Sequence, residues 1–252
     1  MNYWEKYIIG ERNGKGKEYD SFTDKLLFEG EYLNGKKNTK GKEYNDKGEV
    51  VFEGEYLNGR INGYGIEFSV RDKKLRFEGY FLNGKRSGEG KVYYKDELLY
   101  EGGYLKGKKS GKGKEYYLSK LEYEGEYLEG VKNGKGKEYN DKDELVFEGE
   151  YFNGKRWNGK GKEYNCYNKL TFEGEYLNGK RWKGKGIEKV ERFGDDLILL
   201  DIEYFNGFKY NKNAKIYDED NNLIYEGEYH NEKKMEKEKN MKIIKYFLKA
   251  NI

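Results

Sequence analysis

Polar and apolar residues alternate along most of the chain in short stretches that return at nearly constant intervals. Residues 123–128 read Tyr-Glu-Gly-Glu-Tyr-Leu. A period of two places the tyrosines and the glycine on one face and the glutamates and the leucine on the other, as in a β-strand. A turn follows, which in most copies carries Asn-Gly, and then a return segment such as Gly-Lys-Gly-Lys-Glu-Tyr at residues 134–139. Because Asn-Gly tolerates the positive φ of hairpin turns, each unit is predicted to be a β-hairpin.

This hairpin unit recurs through nearly the whole chain. Aligned on Phe/Tyr-Glu-Gly-x-Tyr/Phe, clear copies begin at residues 28, 52, 77, 100, 123, 147, 172 and 225, and degenerate copies begin near residues 3 and 200. The ten registers cover residues 1–232. We expect about ten tandem hairpins, or twenty strands, to pair side by side into an elongated, single-layer antiparallel sheet of the all-β class.

The composition suggests how such a sheet obtains a core. The 252 residues include 27 Tyr, 13 Phe, 3 Trp and 35 Gly but no Pro, and only 35% of them are hydrophobic. Glycines inside strands normally weaken a sheet, but here they recur beside aromatic residues. We therefore expect each Tyr or Phe ring to cover a neighbouring glycine, so that a ladder of rings replaces a second layer. Glu and Lys are expected to pair on the surface, each pair contributing little stability.

Catalytic and metal-binding chemistry finds little support in the sequence. The chain has one cysteine, Cys166, and one histidine, His230, too few for a Cys/His metal cluster or an intrachain disulfide. A catalytic nucleophile that needs a histidine base would have to use His230. The Glu-Gly-Glu pairs lie in nearly identical solvated settings, whereas catalytic carboxylate pairs need environments that separate their pKa values. No catalytic, metal-binding or cofactor-binding residue is predicted, and the chain is not expected to be an enzyme.

Charge and targeting signals add two expectations. Lys and Arg number 50 and Asp and Glu 47, and glutamates interleave with the lysines of the turns and return strands, so nucleic acid is not an expected partner. These lysines have two interpretations, a solvated face or a contact with anionic phospholipid.

No apolar run approaches the ~20 residues of a membrane span, and the first residues lack a signal-peptide core, so we expect a cytoplasmic location.

Two hairpins carry an extra residue after the turn, and in both it is a tryptophan, Trp157 or Trp182. One extra residue predicts a bulge. The two indoles should lie roughly 10 Å apart, two strand spacings. Either they form an exposed binding hot spot, or each folds back over its own hairpin.

Residues 233–252 lack the repeat and are predicted to form a short α-helix. Four apolar residues share one helical stripe, with lysines on its flanks. These positions are Ile243, Ile244, Phe247 and Leu248 on the stripe and Lys242, Lys245 and Lys249 beside it. The helix either caps the open end of the sheet or binds a partner protein or membrane surface.

The hairpin unit resembles the MORN-repeat family (membrane occupation and recognition nexus), whose unit reads roughly Tyr-x-Gly-x-Tyr/Trp-x-Asn-Gly-Lys-x-x-Gly-x-Gly. Residues 52–65 match its fixed positions apart from Phe for Tyr and Arg for Lys. The family's usual Trp near the end of the first strand is Tyr or Phe here, and most units are one or two residues longer. The resemblance implies an elongated hairpin sheet, often a homodimer, that acts as an adaptor or scaffold. Some members are linked to membranes or to the cytoskeleton.

The sequence therefore predicts a non-catalytic scaffold that binds a protein partner along an aromatic and glycine-lined sheet face. The alternative is a peripheral membrane tether that binds anionic phospholipid through lysines and the C-terminal helix. The ladder positions predicted to contact a partner are Tyr32, Tyr56, Phe81, Tyr104, Tyr127, Tyr151 and Tyr176.

Overall fold

The computed structural model describes the backbone of residues 12–190, 198–217 and 223–230, and the side chains of residues 12–186, 203–208 and 223. All regular structure in these residues is β-strand, so the all-β prediction is confirmed for them. The helix predicted in residues 233–252 lies outside the described residues. The chain divides into two compact units, with the boundary between Glu144 and Leu145.

Unit 1 is an antiparallel meander in which each strand pairs with the next along the chain. Its strands are β1 (Gly14–Tyr19), β2 (Leu26–Leu33), β3 (Lys36–Tyr44), β4 (Val50–Leu57), β5 (Arg60–Phe68), β6 (Leu75–Leu82), β7 (Lys85–Tyr94), β8 (Glu97–Leu105), β9 (Lys108–Tyr117), β10 (Lys120–Leu128) and β11 (Val131–Tyr139).

Unit 2 repeats the same connectivity. Its strands are β12 (Leu145–Phe152), β13 (Lys155–Tyr164), β14 (Leu170–Leu177), β15 (Lys180–Val190), β16 (Ile198–Phe205), β17 (Phe208–Tyr217) and β18 (Leu223–His230). Eighteen of the twenty predicted strands are thus present. The other two, which begin the first register and end the last, fall outside the described residues.

The hairpin turns have the backbone that Asn-Gly predicts. Asn34 and Gly35 have φ values of 49° and 76°, and Asn58 and Gly59 have 51° and 85°. Two successive positive φ values give a turn whose twist matches that of the flanking strands. The N–H of Gly59 also donates to the carbonyl of Lys37 in the preceding hairpin, at 2.8 Å. Each turn is therefore tied to its neighbour beyond the end of the strand ladder.

One face of each unit, which we call the ring face, holds the core. In the seven motifs that begin between residues 28 and 172, the first residue is buried there over two glycines that face each other across a strand pair. Under Phe52, for example, Gly54 pairs with Gly65. A Cβ added at Gly54 would lie 2.6 Å from Cζ of Phe52 and 2.7 Å from Cα of Gly65. The prediction that rings cover glycines is confirmed.

The rings also form a continuous edge-to-face row. Phe28 contacts Tyr32 of its own hairpin at 5.7 Å between centroids and Tyr56 of the next hairpin at 5.3 Å. The same alternation runs through unit 1 to Tyr127, and through unit 2 from Tyr151 to Tyr204. Edge-to-face contacts at these distances stabilise beyond the area buried. A single-layer sheet thus has a core one ring thick.

Each return strand contains a bulge. In unit 1, residues 62–64 face only Glu55, because Gly54 pairs with Gly65 and Tyr56 with Ile61. Gly63 takes a φ of 111°, and the Glu55 carboxylate accepts a hydrogen bond from the Tyr64 N–H at 3.1 Å. In unit 2 the bulged residue is Trp157, since Tyr151 pairs with Arg156 and Glu150 with Asn158. The tryptophan hairpins thus contain the predicted bulge, but hairpins without the extra residue are bulged as well, so the extra residue is not its cause.

Gly54→Ala tests the ring-over-glycine core. The new methyl group would overlap Phe52, Gly65 and the carbonyl oxygen of Tyr64, of which the last two are rigid backbone. We expect a loss of about 3 kcal/mol in the free energy of unfolding, measured by urea denaturation. Gly48→Asn is the control, because Gly48 lies in open space at a φ of 75° that Asn tolerates. Equal stability of the two variants would contradict this account of the core.

Candidate binding surfaces

The ring face is sealed by cations. The second residue of most return strands lies over the buried ring of its own hairpin. The distances from cation to ring centroid are 4.0 Å for Lys37 on Phe28, 3.9 Å for Arg86 on Phe77, 4.3 Å for Lys109 on Tyr100, 4.2 Å for Lys132 on Tyr123, 4.9 Å for Arg156 on Phe147 and 4.8 Å for Arg181 on Phe172. Each cation is attracted electrostatically to the negative face of its ring, and it shields that ring from water.

Glutamates on the same face hold these cations in place. The Lys132 ammonium lies 3.4 Å from Glu115 and 3.9 Å from Glu138, and Arg181 pairs with Glu163 at 2.6 Å. Burial alone would raise the pKa of the Glu115 carboxyl. The Lys109 hydrogen bond and the charges of Lys109 and Lys132 outweigh it, so that this pKa is lowered. The ring face therefore presents ion pairs to its surroundings, and the rings lie beneath them.

The seven ladder residues predicted to bind a partner lie within this core. Their exposed fractions run from 3% at Tyr151 to 8% at Tyr176. Within each unit the structure brings them into a row. Because the row is packed and capped, its evident role is to support the sheet, and direct contact with a partner stays a prediction.

The opposite face, which we call the charged face, carries two rows of side chains across unit 1. From β1 to β11, one row reads Lys17, Glu29, Lys42, Glu53, Ile66, Glu78, Lys91, Glu101, Lys114, Glu124 and Lys137, and the other Lys15, Glu31, Lys40, Glu55, Tyr64, Tyr80, Glu89, Gly103, Lys112, Glu126 and Lys135. Neighbours of opposite charge pair, as for Lys42 and Glu53 at 3.2 Å. The predicted surface pairing of Glu and Lys is confirmed.

Tyrosine hydroxyls brace the first of these rows, a feature that the sequence analysis missed. Tyr44 donates to Glu29 at 2.6 Å, Tyr93 to Glu78 at 2.8 Å and Tyr116 to Glu101 at 2.7 Å. Each donor follows its acceptor by 15 residues, a constant interval that could have revealed the contact. Burial, followed by this hydrogen bond, raises the pKa of Tyr44, Tyr93 and Tyr116 to about 12.

A groove runs between the two rows. In unit 1 it has a volume of about 620 Å³ and a floor of Gly16, Gly30, Gly41 and Gly54, where no side chain rises from the backbone. Lysines and glutamates of both rows form its walls, and it ends at Tyr64 and Ile66. Unit 2 has a groove of about 500 Å³ over Gly161, Gly174 and Gly184. Side chains at these positions would point to the ring face, so the floor between the two rows is bare backbone that a ligand can approach closely.

The hairpin turns form a third surface, which we call the turn edge. Most turns begin with a bulky apolar residue that is about half exposed: Leu33, Leu57, Leu82, Leu105, Leu128, Phe152 and Phe205. When each two-residue turn is counted with the strand residue on either side, the turns of unit 1 from residues 33–36 to 128–131 contain five basic residues and one acidic residue, Glu129. The turns of unit 2 at residues 152–155, 177–180 and 205–208 contain two basic residues and no acidic one. The loops at the other edge of unit 1 contain nine acidic and seven basic residues. The fold therefore separates charges that alternate along the sequence.

The two tryptophans lie beside turns of unit 2. The indole of Trp157 contacts Phe152 of its own hairpin, with 5.2 Å between ring centroids. It also lies against Gly179 in the next turn, and Trp182 lies against Gly207 in the same way. Both tryptophans are partly buried, so each supports the neighbouring turn while leaving part of its ring exposed.

Comparison with known families agrees with this architecture. The MORN repeat family model matches residues 28–50, 52–70, 77–97, 100–119 and 123–144, which correspond to five successive hairpins of unit 1. The chain is a MORN-repeat protein. The matched residues all lie in unit 1, and the hairpins of unit 2 continue the same motif in sequence and in strand pairing. No curated protein matches the chain.

The remaining sequence predictions concern membranes. Among the residues with described structure, no helix is both long and apolar enough to cross a bilayer. The apolar stripe of Ile243, Ile244, Phe247 and Leu248, with Lys242, Lys245 and Lys249, lies outside the described residues.

Four partly or fully buried tyrosines of this MORN-repeat protein predict alkaline unfolding. Tyr44, Tyr93, Tyr116 and Tyr176 keep their protons up to a pKa of about 12 in the folded state, against 10.0 when unperturbed. Above pH 10 the unfolded chain therefore binds fewer protons than the folded one, and stability falls as pH rises towards 12. We expect the urea midpoint to drop over this interval, and part of the tyrosinate absorbance to rise only as the protein unfolds.

The Tyr44→Phe variant separates this effect from the deprotonation of lysine. It removes one raised pKa while keeping the ring, so its urea midpoint should fall less steeply above pH 10 than that of the wild type. A folded protein whose tyrosines titrate normally would contradict the burial of these hydroxyls.

Proposed function

We propose that this MORN-repeat protein is a non-catalytic scaffold that binds an extended segment of a protein partner in the groove of the charged face. The observation that carries the proposal is the glycine-floored groove of unit 1, walled by lysines and glutamates. A floor without side chains admits a polypeptide close to the sheet, and walls of both charges offer it ion pairs along its length.

The ring face is a less suitable binding surface, which also favours the groove of the charged face. Its rings are buried beneath Lys and Arg residues that are already paired with glutamates. A partner that contacted the rings would first have to displace these ion pairs and leave their charges uncompensated, which is costly. The wall residues of the groove are more accessible, with Lys42 and Glu53 exposing 41% and 48% of their side chains. The charged face is therefore the better binding surface.

Exchange of one ion pair in the wall tests this proposal. Lys42 and Glu53 form an ion pair at 3.2 Å. Lys42→Glu combined with Glu53→Lys keeps the net charge and leaves opposite charges at these two positions, but it reverses the charge pattern of the groove. Peptides selected from a random library on the full chain should bind this variant roughly tenfold more weakly, as measured by fluorescence anisotropy.

The matched control is the same exchange in unit 2, Lys162→Glu with Glu173→Lys, which leaves the groove of unit 1 unchanged. Peptides that map to unit 1 by cross-linking should bind the control as they bind the wild type. Selection of no peptide, or equal binding to all three proteins, would refute the groove as the partner site.

A second candidate function, contact with an anionic membrane surface, is supported by the turn edge. Its half-exposed leucines stand beside Lys36, Arg60 and Lys85, and no described carboxylate pairs with these three residues. Peripheral membrane binding combines two features. Apolar side chains enter the membrane interface, and basic residues contact the anionic headgroups.

Sedimentation with vesicles tests the turn edge. We expect the full chain to bind phosphatidylserine-containing vesicles at low salt. Lys36→Glu, Arg60→Glu and Lys85→Glu together should weaken binding roughly hundredfold, because each basic residue contributes about 1 kcal/mol near an anionic surface. The control carries the same change of charge at the loop edge, Lys25→Glu, Lys47→Glu and Lys142→Glu, and should bind more tightly than the turn-edge variant. Equal loss in both variants would indicate a net-charge effect and contradict a turn-edge site.

A further inference from the structure

The charge alternation of the charged face is broken between β5 and β8 of unit 1. On β5, Tyr64 and Ile66 occupy the positions where β3 has Lys40 and Lys42. On β6, Tyr80 occupies the position where β4 has Glu55. The broken segment adjoins the groove, whose lining ends at Tyr64 and Ile66.

The break leaves a local excess of negative charge. The two rows on β4 to β7 contain four acidic residues, Glu53, Glu55, Glu78 and Glu89, and only one basic residue, Lys91. The rows on β1 to β3 contain four lysines and two glutamates, and those on β8 to β11 contain four lysines and three glutamates. The β4 to β7 segment is thus the acidic part of a face that is otherwise balanced or slightly basic.

Tyr64 and Tyr80 form an exposed aromatic pair at the centre of this segment. They are register partners on β5 and β6, with centroids 5.6 Å apart and ring planes at 77°. The exposed fractions are 40% for Tyr64 and 53% for Tyr80. The Tyr64 hydroxyl donates to Glu78 at 3.1 Å, which fixes the ring beside a carboxylate. We call these two rings, with Glu78, the tyrosine window.

The ring face of the same unit shows what such an arrangement holds. There, Tyr123 and Tyr127 pair edge to face at 5.4 Å, Glu115 and Glu138 lie nearby, and Lys132 lies over the Tyr123 ring at 4.2 Å. The tyrosine window repeats the edge-to-face rings and the carboxylate. Within the described residues, however, no Lys or Arg of the chain lies over Tyr64 or Tyr80. The cation that completes the arrangement on the ring face has no counterpart here.

We propose that the tyrosine window binds a lysine or arginine side chain of the protein partner. This inference rests on the proposed groove function and specifies which residue the partner places at the end of the groove. The negative faces of two tyrosines and the Glu78 carboxylate together favour an organic cation with an apolar stem. Arginine fits best, because its planar guanidinium stacks on one ring while its fork donates to the carboxylate.

The matched variant restores the ladder. Tyr64→Lys with Tyr80→Glu gives these register partners the residue types of Lys40 and Glu55, which pair in the same way on β3 and β4. Both tyrosines are partly exposed, so the variant should fold, with unchanged circular dichroism and urea midpoint.

The first experiment uses Nα-acetyl-arginine amide as the probe and Nα-acetyl-citrulline amide as its neutral isostere. Titration of the full chain, followed by NMR of the tyrosine rings, should shift the signals of Tyr64 and Tyr80 with the arginine compound only. No shift, or equal shifts with both compounds, would overturn the proposal whatever the groove binds.

The second experiment selects random peptides on the full chain and on the ladder-restored variant. Peptides from the wild type should share an Arg or Lys at one position, and they should bind the variant roughly fivefold to thirtyfold more weakly. Peptides that bind the groove without this preference would overturn the tyrosine window alone. Selection of no peptide on the wild type would refute the groove, and with it this inference.

Discussion

The contact on which the rest of this structure depends is an aromatic ring that covers two facing glycines. A ring can lie this close to a sheet only where neither strand has a Cβ, as under Phe52, where Gly54 faces Gly65. A shift of one residue in the pairing would bring Tyr64 or Ile66 opposite Gly54 in this hairpin, and a lysine or a glutamate opposite the corresponding glycine in the other hairpins of unit 1. The contact therefore fixes the register of every hairpin, and register decides which side chains share a row.

The same register determines where a partner can bind. With a core one ring thick, water would reach the rings from outside unless something covered them, and paired cations such as Lys132 do so. These ions stabilise the core and at the same time occupy the face on which a partner might have met the rings. Accessible surface remains on the charged face and at the turn edge, so the two candidate functions use surfaces that the core does not need.

Much of this fold follows from the sequence, and the parts that do not follow depend on contacts between repeats. Period-two alternation and Asn-Gly predict the hairpins, and glycines beside rings predict the core. The cations that cover the rings are held by ion pairs such as Lys37 with Glu18. These two residues are 19 positions apart in the sequence and lie on β3 and β1, with one strand between them. The basic turn edge is not visible in the sequence, where Lys and Glu alternate. Turn lysines and loop aspartates come to lie at opposite edges of the sheet only when the strands pair.

Specificity in a repeat scaffold has to come from positions where the repeat is broken, since the unbroken positions offer the same chemistry at every hairpin. Along the sequence, Tyr64, Ile66 and Tyr80 are scattered substitutions at different points of the motif, and none of them suggests a site. The antiparallel pairing of β5 with β6 places Tyr64 opposite Tyr80 and Ile66 opposite Glu78. Substitutions from two hairpins thereby become one surface, which is how a chain of nearly identical units can recognise one side chain at one place.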